Sequence, residues 1–505
     1  MKHLLKIVAL VALPLFVLFS TNSCKKEQFG NGPISFSRDT LTFDTVFTSL
    51  GSTTRYFKVF NDNKKAVRID DIRLMHLVGN QFRINVDGIP GDQFTGIEIP
   101  AQDSIYVFVE VTVDPNNAAT PFVIIDDVTF SLNGSTKTVH LQAFGQNAHF
   151  HYGETITSSA VWNNDLPHVI IANDTNPGVV VDCGGALTIN PGCKVFFAGN
   201  TGIFVEGTLN AVAGTWSDSI VFQGVRLEQY YDDKPGQWFG LVFLRDTVDG
   251  SCNPQGFFDH CVITESSYGI YAGAGISGDL NKYILGDAFR PKVSITNSII
   301  KHSQYNAVFG FNAEISAENS EFFVSGDHLL QFALGGLYNF KGCTIFNNGS
   351  RYIGHEKETM LLSNLAATGP TSYVKAALTS NFENCVVYGS LQNEIAFSNY
   401  LGYTAGTDFS NNFSKCLLRT KEDTLNGYTT GHTELLFNTD PRFKDEDAFN
   451  FTPSDSVGYL SPLIDAAVTG AGLGQDIFGN TRGVVNSHVQ PPSGKPYDIG
   501  AIEVQ

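Results

Sequence analysis

Apolar and polar residues alternate along much of the first third of the chain. In "SIYVFVEVTV", Ile105, Val107, Val109 and Val111 fall on one side of an extended backbone and their neighbours on the other. That is the period-two pattern of a half-buried strand. "TLTFDTVF", "RYFKVFN", "AVRIDDIRL" and "FRINVDG" are further short β-prone runs, the first two separated by a turn at Gly51-Ser52. "DDVTFSLNGSTKTVHLQAFG" folds back about Asn133-Gly134, a two-residue hairpin signal. About seven short strands between residues 34 and 147 predict a β-sandwich with immunoglobulin-like strand count.

Further along, one phrase recurs. "GFFDHCVITESS", "VSITNSIIKHS", "AENSEFFVSG", "NFKGCTIFNN", "NFENCVVYGS" and "NFSKCLLRTK" each place polar residues before a Cys or Ser, then a short β-prone run. The small residues are Cys261, Ser298, Ser320, Cys343, Cys385 and Cys416, in steps of 37, 22, 23, 42 and 31 residues. A unit of about 20–29 residues with insertions is a solenoid period. The alternating pattern makes the solenoid one of parallel strands, each rung stacked about 4.8 Å from the next. Ser298, Ser320 and Cys343 are expected at equivalent positions of successive rungs.

Composition agrees with an all-β chain. Of 505 residues, 49 are Gly, 40 Phe and only 3 Met, and long helix-forming stretches are missing. The net charge of −18 argues against nucleic acid, whose phosphates need Lys and Arg. The same charge argues against capture of an acidic polymer or of anionic lipid by electrostatics.

The N-terminus, "MKHLLKIVALVALPLFVLFSTNSC", has Lys2 and Lys6, an apolar run from Ile7 to Phe19 and small polar residues. It reads as a secretory signal peptide over residues 1–23, too short for a spanning helix. Cys24 after "STNS" resembles the loose cleavage site of Bacteroidetes-type lipoproteins, which implies that Cys24 carries lipid and that the membrane is a partner through that anchor. Lys25 follows where some bacteria place an inner-membrane retention Asp, which favours the outer membrane. Residues 24–33 read as a tether.

Three further resemblances organise the rest. Residues 34–147, with Asp44-Thr45-Val46, Phe57-x-Val59-x-Asn61 and the closing "LQAFG", resemble bacterial Ig-like domains related to the Hydin and major-sperm-protein group. That resemblance implies a packing, spacing or protein-binding module. "LTINPGCKVFF", "SIVFQG", "GQWFGLVFL" and "YGIYAGAG" resemble the rungs of right-handed parallel β-helices of the pectate-lyase-like superfamily, assigned here to residues 148–440. "HYGETITSSAVWNNDLPHVI", 151–170, is expected to cap the coil's N-terminal end. Residues 441–505 resemble a choice-of-anchor-type C-terminal module through Asp440-Pro441-x-Phe443, Ser461-Pro462-x-Ile464-Asp465, Asp476-x-x-Gly479-Asn480-x-Arg482 and Asp498-Ile499-Gly500-Ala501-x-Glu503. Asp465, Asp476, Arg482 and Asp498 are expected to form a buried Arg–carboxylate network closing the last rung. The fold class is all-β: sandwich, then right-handed parallel β-helix, then C-terminal cap.

Candidate chemistry is sparse. The superfamily resemblance makes carbohydrate the default ligand class, yet no cluster of carboxylates or of base and cations suggests a lyase or hydrolase site. His260, His302, His328 and His355 are scattered and read as structural. "RLEQYYDDKPGQW" is the most site-like run, placing Tyr230, Tyr231 and Trp238 beside Asp232 and Asp233. Aromatic faces with carboxylates suit a sugar. The alternative is that these rings pack on the coil wall, and Trp238 in particular can start a strand. No cofactor or metal is expected, since no CxxC or His pair accompanies the cysteines. Cys183 with Cys193, and Cys252 with Cys261, are the nearby candidates for disulfides; the ladder cysteines read as buried thiols. The expectation is a lipid-anchored cell-envelope protein binding a glycan or a surface protein, with a polysaccharide lyase or glycoside hydrolase as the alternative.

Overall fold

The structure, a computed structural model, describes residues 29–116, 118, 120–244, 252–273, 290–367, 373–399, 408–425, 428–429, 431–467, 473–483 and 497–504. The signal peptide, Cys24 and the first residues of the tether lie outside them. The chain divides into two compact units, Met1–Asn147 and Ala148–Gln505.

The first unit is a sandwich of two five-stranded sheets. One sheet runs Ser35–Phe36, Arg55–Asn61, Asp103–Val111, Phe82–Val86, Ile89–Gly91; the other runs Thr40–Phe47, Ser135–Gln146, Phe122–Leu132, Val67–Leu74, Gln93–Ile99. Ile105, Val107, Val109 and Val111 all face inward against Phe57, Phe82 and Phe130. The hairpin turns at Asn133 and Gly134, both with positive φ (52° and 77°), as a two-residue turn between right-twisted strands requires.

The second unit is a parallel β-helix, its strands collected into sheets of 11 and 17. Segment 151–170 is not a separate cap. Strand His149–Tyr152 pairs in parallel with His168–Ile171, so it is the first rung itself. Its imidazoles are built into the wall, His168 lying 4.7 Å from Trp162 between nearly parallel rings.

The recurring phrase is the corner between the two sheets. His260, Asn297, Asn319, Gly342, Asn384 and Lys415 have φ between 47° and 56°. This left-handed conformation is most accessible to Gly and Asn. The residue after each turns inward, and its side chain donates to the carbonyl two positions earlier: Ser298 to Thr296 at 2.7 Å, Ser320 to Glu318 at 2.8 Å, Cys343 to Lys341 at 3.4 Å, Cys385 to Glu383 at 3.3 Å, Cys416 to Ser414 at 3.3 Å. The same carbonyls also accept the N–H of the corner residue one rung back, as Thr296 O does from His260 and Glu318 O from Asn297, so the small side chain fills the second lone pair of a buried carbonyl. Backbone register places all six on one column. The column extends back through Ile220 to Cys193.

That register corrects both disulfide expectations. Cys193 and Cys261 point into the core, and the bond joins Cys183 to Cys252, 69 residues apart. These two lie three residues before Ala186–Ile189 and Gln255–Asp259, strands two rungs apart. The rung between runs from Val205 to Thr208 through only Glu206-Gly207, which lets the flanking turns meet.

The described residues between 443 and 504 do not stack on the end of the coil. Phe443, Phe451, Leu463, Ile477, Ile499 and Ile502 pack with Phe323, Phe346, Val386 and Leu417, on successive strands of the 11-stranded sheet. The C-terminal segment therefore covers a flank.

Candidate ligand site on the flank of the coil

The loop between strands Ile220–Gly224 and Trp238–Leu244 is held from beneath by a buried carboxylate. Glu265 accepts the backbone N–H of Gly224 (3.1 Å) and of Asp233 (3.2 Å). Burial pushes its carboxyl up to about 7. Arg226 forks onto Glu228 and lies 4.0 Å from the Tyr231 ring centre. Tyr230 and Tyr231 meet edge to face at 5.1 Å, with Lys234 over both rings.

Two distant segments stitch this loop down. The Tyr352 hydroxyl donates to Tyr230 O (2.6 Å), and Arg351 Nη2 to Asp232 O (3.0 Å). From the rung Ile299–Ser303, Lys301 Nζ reaches Asp233 Oδ1 at 3.1 Å and His302 Nδ1 reaches the same oxygen at 2.9 Å. The imidazole contact has ion-pair distance but lies out of line for a formed hydrogen bond, and neither ring nitrogen has a hydrogen-bond partner among the described residues. His302 and Lys301 hold the Asp233 carboxyl well below the ordinary carboxylate range. Burial lowers the proton affinity of His302, whose side chain is 1% exposed, while Asp233 opposes that shift. The ring sits edge-on to Phe323 and Phe449.

Between these elements lies a cavity of about 400 Å³ lined by Asp233, His302, Asn348 to Tyr352, Glu446, Asp447 and Phe449. Of the sequence candidates only Asp233 lines it. Tyr230 is exposed on the loop's outer surface; Tyr231 is half-buried against Arg226; Asp232 is exposed and contributes its carbonyl. Trp238 is a correction. It is fully buried, stacked on Phe197 at 3.9 Å, with its indole N–H donating to Thr264 O (2.8 Å), so it belongs to the core and not to a ligand surface. Sequence reasoning set aside His302 with the scattered histidines, and it had no signal for Arg351, Tyr352, Glu446 or Asp447, which arrive from different rungs and from the C-terminal segment.

The other histidines are engaged elsewhere. His260 contacts Asp259 (2.8 Å), His328 bonds Glu358 O (2.5 Å) and His355 bonds Ser390 (2.9 Å). No group of three or more His, Cys, Asp or Glu among the described residues is arranged to hold a metal ion. No helix among them is long and apolar enough to cross a membrane.

Asp465, Asp476, Arg482 and Asp498 are all buried, on the flank and not at the last rung. Arg482 donates to Asn319 Oδ1 (3.0 Å) and Gly500 O (2.8 Å), and its nearest carboxylate is that of Glu503 (3.5 Å). Asp476 accepts the N–H groups of Phe478, Asn480 and Glu503, and Asp498 those of Asp465 and Val504. The carboxylates thus mainly satisfy backbone turns. The Asp465 carboxylate has no hydrogen-bond partner among the described residues. Burial pushes Asp498 up to about 7.

No family model matches the chain, and no curated protein matches it. Among solved structures, a family 123 glycoside hydrolase from Clostridium perfringens is similar at 12% identity over 25% of this chain and 26% of its own, with a TM-score of 0.18. The catalytic domain of a GH87 alpha-1,3-glucanase in complex with nigerose is similar at 9% identity over 80% of this chain and 90% of its own, with a TM-score of 0.16. Scores this low carry no argument about function. What stands is the architecture: a nearly all-β chain dominated by large parallel sheets.

Proposed function

We propose that the chain is a cell-envelope lipoprotein of the Bacteroidetes type, anchored through Cys24, whose β-helix flank binds a glycan without cleaving it. The observation that carries the binding role is the cavity of about 400 Å³ bordered by Asp233, His302, Arg351 and Tyr352, beside a loop bearing two tyrosine rings. Its size suits about one or two sugar rings, and its walls mix ring faces with hydrogen-bonding groups. Against hydrolysis, the acid that stays protonated nearest neutral pH in this region, Glu265, spends both oxygens on backbone N–H groups beneath the loop. Cleavage remains the second reading, favoured by one observation: a buried imidazole beside an ionised carboxylate at the cavity wall.

The test is purified protein titrated with neutral, amino and uronate oligosaccharides, with reducing ends or unsaturated products followed in parallel. Binding without product is expected. Release of product by wild type and its loss in His302→Gln would establish the enzyme instead. Tyr230→Ala with Tyr231→Ala, at an unchanged melting temperature, is expected to weaken binding about tenfold.

A further inference from the structure

The hydrogen-bond polarity of the cavity restricts what it can hold. His302 Nδ1 faces a carboxylate oxygen of Asp233 at 2.9 Å. Two bare acceptors at that distance would repel, so Nδ1 carries the ring proton. In the neutral imidazole Nε2 is then an acceptor. It is buried, has no hydrogen-bond partner among the described residues, and belongs to a ring that lines the cavity.

Two carboxylates in the same lining repeat the polarity. No hydrogen bond or ion pair is formed by the Glu446 and Asp447 carboxylates with any described residue, and both line the same space. Burial, then repulsion from Asp440 and Asp447, raises the proton affinity of Glu446. The cavity's own cation, Arg351, gives one N–H to Asp232 O and lies over the Tyr352 ring, a single positive charge against the two carboxylates. Asp233 is already matched by Lys301. The acceptors open to a ligand are His302 Nε2, Glu446 and Asp447, and beside Arg351 the two carboxylates leave the space with an excess of negative charge.

We propose that this cavity selects a hydrogen-bond donor bearing no negative charge, and prefers a glycan carrying protonated amino groups over a neutral one, with uronates excluded. The proposal rests on the glycan-binding reading and narrows it to a substrate class. Hydroxyl or ammonium donors meet Nε2 and the carboxylates, Phe449 and Tyr352 offer ring faces, and a carboxylate in the same position would face three acceptors.

The experiment titrates the folded protein calorimetrically with a chitosan hexamer, cellohexaose and hexagalacturonate at mildly acidic pH. The chitosan hexamer is expected to bind tightest, cellohexaose more weakly, and hexagalacturonate not measurably. Hexagalacturonate binding as tightly as either of the others would overturn this selectivity while leaving glycan binding intact. Failure of all three to bind would overturn both. The second measurement uses Glu446→Gln, a half-buried position where the fold is not at stake. Chitosan binding should weaken about tenfold and cellohexaose binding by a clearly smaller factor, since Gln keeps an acceptor for a hydroxyl but loses the charge. An equal loss for both ligands, or none for either, would sink the preference for the amine.

Discussion

Glu321→Gln is the substitution with the clearest signature. Glu321 begins the strand Glu321–Ser325, all five residues of which are buried, where the C-terminal segment covers the coil. Its Oε1 has no hydrogen-bond partner among the described residues. Burial, with a smaller contribution from Asp476, pushes the carboxyl from 4.5 up to about 8. In the unfolded chain the proton leaves as pH passes 4.5; in the folded chain it stays until about 8. Between these values the unfolded state binds fewer protons, so stability falls as pH rises, by about 1.4 kcal/mol per unit. The loss is nil below the unfolded value, reaches about 3 kcal/mol at pH 7 and is complete at about 5 kcal/mol above the folded value. Gln does not titrate and keeps the shape. The variant should therefore match wild type near about pH 4 and exceed it in stability by about 3 kcal/mol near pH 7. Urea unfolding followed by tryptophan fluorescence is the assay. Trp162, Trp216 and Trp238 all lie in the second unit, so the signal reports the coil and its covering segment alone. The raised Asp498 acts in the same direction in both proteins and drops out of the difference. If the two stability curves run parallel from acid to neutral pH, Glu321 is not held protonated in the fold.

Three further outcomes are expected, the first from the proposed anchor and the others from the geometry. Cys24→Ser should move the protein from the membrane fraction to the soluble one, and a variant that still pellets after a high-salt wash would refute lipid anchoring. Trp238→Ala should destabilise the second unit by about 3–5 kcal/mol through the void left against Phe197; an unchanged urea midpoint would contradict its place in the core. Cys385→Ser should stay within about 1 kcal/mol of wild type, since Ser298 and Ser320 make the same corner contact, and a large loss would mean the corner needs sulfur for bulk and not for donation.

The parts of the fold legible in the sequence are those set by local rules. Ile105 to Val111 show their inward face by alternation, Asn133-Gly134 shows the hairpin, and the six-fold phrase shows the corner because each rung must solve the same backbone problem with neighbouring residues. Cys193 escaped because the next rung fills its column with Ile220. The disulfide escaped because partnership between Cys183 and Cys252 depends on how short one intervening turn is. Cap and cavity failed for a related reason. Whether residues 443–504 sit on an end or along a side is decided by outward Phe323, Phe346, Val386 and Leu417, whose exposure or cover no local pattern records. His302 looked ordinary alone; it gains its role only when Asp233, Arg351 and Glu446 arrive from three other places in the chain.

The corner column also sets a race. Cys193, Cys261, Cys343, Cys385 and Cys416 end as buried thiols in a chain expected to mature where disulfides form. Adjacent rungs bring backbones about 4.8 Å apart, within the range a disulfide can bridge, so Cys343, Cys385 and Cys416 are near enough to be mispaired while the coil is still open. Once wound, their carbonyl partners and full burial put them beyond reach of an oxidant. Ser298 and Ser320 break the series, doing the same structural task with a group that cannot be oxidised. Safe maturation then depends on winding outrunning oxidation, rung by rung, and the one disulfide among the described residues, Cys183 to Cys252, joins turns outside the column altogether.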